Sequence, residues 1–157
     1  MTPPRNRGPV ASRPDCIFCQ IVAGKAPAEV IARTDRALAF LTIGPLAEGH
    51  TLVVPAAHAG DLTEVSTQDT GAVWQLVHDV ERRLRAAGLA QGVSLFVMSG
   101  EVAEQSVFHL HVHVVPRRNG DGLDLTRWWQ ERVRQPTAPH QQEIARRLRA
   151  AGAPVVG

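Results

Sequence analysis

Cysteine and lysine are scarce in this chain, and a long apolar run is missing altogether. The two cysteines among its 157 residues, Cys16 and Cys19, fall in a single C-x-x-C. That excludes the disulfide framework of small secreted domains, and in a reducing compartment the spacing points to a metal or redox pair. Nothing around it has the βαβ pattern of a thioredoxin unit, which weakens the redox reading. Lys25 is the sole lysine among 17 basic residues. Many of the arginines sit in two helical stretches, Arg82/Arg83/Arg85 and Arg146/Arg147/Arg149, where a solvated face explains them. A net charge of +2 with histidine neutral gives no electrostatic footprint for nucleic acid or a membrane surface. No apolar stretch approaches the roughly 20 residues of a membrane span. Residues 1–14 carry four prolines and three arginines but lack the hydrophobic segment of a secretory signal. A cytoplasmic protein with a disordered arm over residues 1–14 is the expectation.

At this length the chain can bury the core of one domain, and a hydrophobic fraction of 44% is ordinary for a globular protein. Residues 15–24 suit a short helix, with Asp15 as N-cap and Gly24 at its end. Residues 29–32 and 37–43 read as strands of a hairpin across Thr34-Asp35-Arg36. A loop rich in turn residues, Gly44 to Gly49, leads into a third strand over 50–54, closed by Pro55. The clearest helix spans 67–87. Ser66 and Asp69 form a capping-box variant, and Val73, Val77, Val80 and Leu84 make one apolar stripe. A fourth strand covers 93–98, and a final helix covers 139–151. Neither an internal repeat nor a domain boundary interrupts this order. The fold class is α+β: a five-stranded antiparallel sheet packed against one long helix, with a short N-terminal helix.

The fifth strand is the centre of interest. In Gln105-Ser106-Val107-Phe108-His109-Leu110-His111-Val112-His113-Val114, alternation puts three histidines on one side and Phe108, Leu110, Val112 and Val114 on the other. Next-but-one imidazoles on a flat strand stand roughly 6.6 Å apart, too far to pinch one metal ion but well placed to line a groove. A neutral imidazole is a competent nucleophile towards phosphorus near pH 7, given a partner that fixes its tautomer and donors for the phosphoryl oxygens. Gln105, Ser106 and the backbone N–H groups of residues 99–105 could be such donors. The cysteines offer half of a tetrahedral zinc site. The other half must come from histidines, with His50, His58 and the strand histidines as candidates.

The run from Gln105 to Arg117 resembles the signature of the histidine triad (HIT) family. Cys16-Ile17-Phe18-Cys19 and Gly49-His50-Thr51-Leu52-Val53-Val54-Pro55-Ala56-Ala57-His58 resemble the rest of the pattern in the bacterial, Hint-like branch with a zinc site. The three motifs occur in the family's order over roughly residues 15–118, which the resemblance makes the HIT domain. It leaves 119–157 as a C-terminal extension with a terminal helix. The resemblance implies a nucleotide hydrolase that cleaves nucleoside phosphoramidates or nucleoside and dinucleoside polyphosphates, with a purine nucleotide as the expected partner. His111 would be the nucleophile and carry a nucleotidyl-histidine intermediate. His113 would face the phosphate, Ser106 would bond near the leaving group, and Gln105 and Thr42 would line the nucleotide site. Cys16, Cys19, His58 and His109 would hold a structural zinc, closed at four ligands. The resemblance further implies a homodimer with a ten-stranded sheet. Trp128-Trp129 would either reach towards the partner's site or anchor the tail.

Three positions depart from the family pattern. Thr42 stands where many relatives have Asp near the ribose hydroxyls, Met98 where Asn is common, and Glu104 where Gly usually precedes the Gln. A carboxylate accepts two ribose hydroxyl bonds, and Thr cannot reproduce that geometry. These departures leave two rivals to hydrolysis: a zinc-stabilised nucleotide-binding or interaction module with little turnover, and a nucleotidyl transferase.

Overall fold

The computed structural model describes residues 11–152. The chain forms two compact units, one ending at Asp121 and one beginning at Gly122. In the first unit α1 (Ile17–Val22) precedes the hairpin strands β1 (Val30–Arg33) and β2 (Ala37–Leu41). After β3 (Thr51–Pro55) come the long helix α2 (Thr67–Ala86), β4 (Gly92–Phe96) and β5 (Val112–Arg117). These strands make one five-stranded sheet in the order β1-β2-β3-β5-β4, with every neighbouring pair antiparallel. No helix among the described residues is long and apolar enough to cross a membrane.

The period-2 alternation of the strands divides their side chains between two cores. Ala37, Ala39, Val53, Val112 and Val114 pack with Val73, Leu76, Val77, Val80 and Leu84 of α2. Leu38, Phe40, Leu52 and Val54 face the other way, onto Phe18 and Ile21 of α1. Small residues at 37 and 39 let the helix approach the sheet, while large ones at 38 and 40 fill the space beside the short helix. At the N-terminus of α2 the Ser66 hydroxyl accepts from the Asp69 N–H at 3.0 Å. The Asp69 carboxylate accepts from the Ser66 hydroxyl and from Arg36, an ion pair of 2.7 Å that ties the hairpin turn to the helix. Gly49 turns the chain into β3 at φ +87°, and a Cβ there would meet Leu84 Cδ2 at 2.9 Å.

Four expectations change. The N-cap of α1 is Cys16, not Asp15, and it makes no side-chain capping bond. Asp15 instead turns to Arg13. The ladder of β5 begins at Val112, so His109 and His111 precede it; Val112 is the last residue paired with β3. The alternation still extends back through Leu110, which is buried, but ends at Phe108, which is 52% exposed. Without a neighbouring strand to hold the pleat, Phe108 turns out to solvent. Part of the expected disordered arm is tied down: the Ala11 carbonyl accepts from the His58 N–H at 2.7 Å, and Arg13 O from the Cys16 N–H at 3.1 Å. Residues 1–10 lie outside the described ones.

In the second unit α3 (Leu125–Gln130) precedes α4 (Ala138–Ala151), which Thr137 caps by accepting from the His140 N–H. The Trp128 and Trp129 rings meet edge to face at 6.5 Å, and the Arg132 guanidinium lies 4.9 Å from the Trp128 ring centroid.

Candidate functional site

Two clusters lie side by side on the α1 face of the sheet. Cys16 and Cys19 open α1, His58 follows β3, and His109 lies on the approach to β5. Their four ligand atoms all lie within 4.8 Å of one another. Cys16 Sγ is 3.4 Å from His109 Nδ1, while Cys19 Sγ is 3.4 Å from His58 Nδ1 and 3.5 Å from His109 Nδ1. A tetrahedron with metal–sulfur bonds of about 2.3 Å and metal–nitrogen bonds of about 2.0–2.1 Å has S···N edges of about 3.5 Å. The donor set and its edges therefore fit a four-coordinate zinc ion. His109 Nε2 donates to the Pro55 carbonyl at 2.9 Å; a carbonyl can only accept, so the lone pair is on the Nδ1 that faces the sulfurs. Burial, then the neighbouring Cys19, pushes the Cys16 thiol up. Burial, helped by His58 and His111, brings His109 down to about 4.

The second cluster is made by His50, His111 and His113, joined to the first through Phe18. The Phe18 ring lies edge-on to His109 at 5.9 Å and to His111 at 5.2 Å. His111 and His113 are 4.9 Å apart between ring centroids, closer than on a flat strand because only His113 lies within the ladder. Each proton can be placed by elimination. His111 Nδ1 is 2.8 Å from the His109 carbonyl, so Nδ1 carries the hydrogen and Nε2 keeps its lone pair. The Leu46 N–H donates to His50 Nδ1 at 3.1 Å, so the His50 hydrogen is on Nε2. That atom meets His113 Nδ1 at 3.0 Å and makes it an acceptor. The remaining hydrogen of His113 is on Nε2, the one buried side-chain nitrogen or oxygen among the described residues with no hydrogen-bond partner. An unpartnered buried donor is costly and calls for an acceptor. Burial lowers the pKa values of His50 and His111, and burial with His111 and His50 nearby brings His113 down to about 4. All three imidazoles are neutral at pH 7.

The sequence left His50 among the possible metal ligands; its ring instead meets His113, in the triad cluster. Gln105, expected to donate to phosphate, has its amide committed elsewhere. Its Oε1 accepts from the Gly100 N–H at 2.8 Å, and its Nε2 donates to the carbonyls of Gly60 at 2.6 Å and Val107 at 2.9 Å. With both amide hydrogens used, Gln105 locks the loop, and a direct bond to phosphate would break one of these. Ser106 is exposed and lines a cavity of about 300 Å³ beside Cys16 and His58. Thr42 is half-buried just after β2, and its hydroxyl accepts from the Gly44 N–H at 3.3 Å. Met98 is half-buried, and Glu104 is exposed with φ 65°, the only positive value at a non-glycine among the described residues.

An α+β fold with contacting histidines beside a cluster of four residues that could hold a metal ion is what the geometry shows. The HIT domain family matches residues 23–120, and the chain belongs to that family. An uncharacterized HIT-like protein of Mycobacterium tuberculosis is 40% identical over 112 residues, 71% of this chain and 78% of that one. The adenosine 5'-monophosphoramidase hnt1 of Schizosaccharomyces pombe is 36% identical over 104 residues, 66% of this chain and 75% of its own. Among solved structures, a Zn-bound histidine triad family protein from Mycobacterium smegmatis aligns with TM-score 0.68 and 35% identity, covering 88% of this chain and 98% of that one. Its fold supports reading the sheet and helices described above as the HIT fold.

The titration of His113 has a stability consequence. Its folded pKa of about 4 lies below the ordinary value of 6.5, so unfolding takes up a proton between these limits. This contribution is full above about pH 6.5 and is lost as pH falls towards about 4. The urea midpoint should drop across that window in wild type, and less steeply in His113→Gln. Equal slopes would show that His113 is not buried neutral.

Proposed function

We propose that the protein is a nucleotide hydrolase that works through a nucleotidyl-histidine on His111. The carrying observation is the fixed tautomer of His111: the His109 carbonyl holds Nδ1–H, and burial keeps the ring neutral with a lone pair on Nε2. Nε2 attacks the α-phosphorus of a nucleoside phosphoramidate or a nucleoside or dinucleoside polyphosphate. The N–P bond forms as the bond to the leaving group breaks: a departing phosphate keeps the electron pair as an anion, and a departing amine keeps the pair and takes up a proton from solvent. His113 donates its Nε2–H to a phosphoryl oxygen as negative charge builds there, and His50 keeps that hydrogen in place. The Ser106 hydroxyl donates near the bridging atom. Water then attacks the same phosphorus, the P–N bond breaks, and His111 leaves with its lone pair restored. The phosphoramidase name of the S. pombe relative supports this reaction class, and a purine nucleotide is the partner we favour. Gln105 and Thr42 act by shaping the loops around the nucleotide. The module with little turnover and the nucleotidyl transferase are the rivals that the assay decides.

On an adenosine phosphoramidate, His111→Ala should lose at least about 10⁴-fold in kcat, as expected when a nucleophile is removed. Turnover equal to wild type would end the assignment.

Zinc is the metal we assign to Cys16, Cys19, His58 and His109; it would be structural, fixing α1 against the approach to β5. Purified protein should contain about one zinc per chain, and Cys19→Ala should lose it. A metal analysis without zinc in wild type would remove the ion from this account. Free thiols at such a site suit a reducing compartment, which supports the cytoplasm as its location.

We also assign a homodimer. β4 is an edge strand, half-buried except for the exposed Leu95, and a second copy pairing there would extend the sheet to ten strands. Analytical ultracentrifugation should give twice the chain mass; a monomer at micromolar concentration would overturn the assignment.

A further inference from the structure

The four residues of the cradle are unequally sheltered. Cys19 and His109 are buried, 3% and 0% exposed. Cys16 and His58 are half-buried and border a cavity of about 300 Å³. Asp15, Ser106 and Phe108 in the wall of that cavity are exposed, so solvent reaches it. The two sulfurs differ in the same sense. Cys19 Sγ accepts from the Arg13 N–H at 3.4 Å and faces Nδ1 of His58 at 3.4 Å and of His109 at 3.5 Å. Cys16 Sγ meets His109 Nδ1 at 3.4 Å, and its residue borders the cavity. Cys16 is the outer cysteine and Cys19 the inner one. Their sulfurs lie within 4.8 Å of each other, at the start of α1.

We propose that Cys16 is an oxidation site, attacked first by a hydroperoxide entering through this cavity, and that Cys19 resolves it to a Cys16–Cys19 disulfide that empties the cradle. Oxidation-sensing cysteines combine a reachable sulfur with a resolving one beside it. No exchange partner of the thioredoxin kind is needed, because the oxidant is the peroxide itself. Both sulfurs react as thiolates, the form in which a metal ion would hold them. The Cys16 sulfur attacks a peroxide oxygen: the S–O bond forms, the O–O bond breaks and hydroxide leaves. The Cys19 sulfur then attacks the sulfenic sulfur of Cys16: the S–S bond forms, the S–O bond breaks and a second hydroxide leaves. The sulfurs together give up two electrons, the peroxide is reduced, and the hydroxides take protons from solvent. A disulfide carries no charge, which leaves two imidazoles where zinc takes four ligands. The release of zinc rests on the metal assigned above; the order in which the sulfurs react does not.

The test treats the purified full chain with hydrogen peroxide and follows intact mass, peptide map and free zinc together. Wild type should lose the mass of two hydrogen atoms, show a Cys16–Cys19 linked peptide and release zinc in step with it. With dimedone present as a sulfenic-acid trap, Cys19→Ala should accumulate the adduct on Cys16, while Cys16→Ala should leave Cys19 unlabelled. Because either variant loses a cradle residue, the order is also read in wild type. Iodoacetamide should alkylate Cys16 at least about tenfold faster than Cys19, since reactivity follows exposure. Equal alkylation rates, a dimedone adduct forming as fast on Cys19, or no linked peptide after peroxide would overturn the proposal. Zinc retained after the disulfide has formed would overturn the emptying of the cradle. Wild type that holds no zinc yet oxidises at Cys16 first would remove the metal assignment and leave the oxidation site standing.

Discussion

Two backbone carbonyls govern the chemistry of the histidine segment. Pro55 O receives the Nε2 hydrogen of His109, and His109 O receives the Nδ1 hydrogen of His111. Because each carbonyl can only accept, neighbouring imidazoles in one short segment are held in opposite tautomers. His109 turns Nδ1 to the sulfurs, and His111 keeps its lone pair on Nε2. The division of labour needs no difference in residue type. It follows from where the backbone places an acceptor.

Phe18 carries this arrangement from one cluster to the other. Its ring packs edge-on against both His109 and His111, and against Phe40 within the core. It lies between the two cysteines in sequence. Moving α1 therefore disturbs the cradle and His111 together. His50 completes the set from β3's side, since Leu52 opposite His113 in the ladder places residue 50 at the same end of the sheet.

Much of this was legible in the chain, for physical reasons. The period-2 runs gave five strands, the 3.6-period stripe gave α2, and Ser66 with Asp69 marked its start. The C-x-x-C spacing pairs the two cysteines and leaves the matching histidines open; the resemblance points to His58 and His109, and the structure brings those four together. His50 was visible but not assignable to the triad, because only the pairing of β3 with β5 brings it to His113, and pairing is not a local property. For Gln105 the sequence offers a possible phosphate donor and is silent on the carbonyls of Gly60 and Val107 that take its amide hydrogens, because side-chain amide partners are set by distant backbone. Glu104 is instructive in another way: its left-handed φ explains why glycine suits that position, as the family pattern suggests.

The donors of the cradle lie far apart in sequence, with Cys16 and His109 separated by 93 positions and Cys19 and His58 by 39. An ion seated among them would act as a cross-link closing nested loops through much of the first unit. Because closure entropy grows only slowly with loop size, a fastening of this reach is nearly as easy to form as a short one. Its four donors meet only when the sheet has aligned its strands, so the ion would stabilise the folded chain by binding it in preference to the unfolded one.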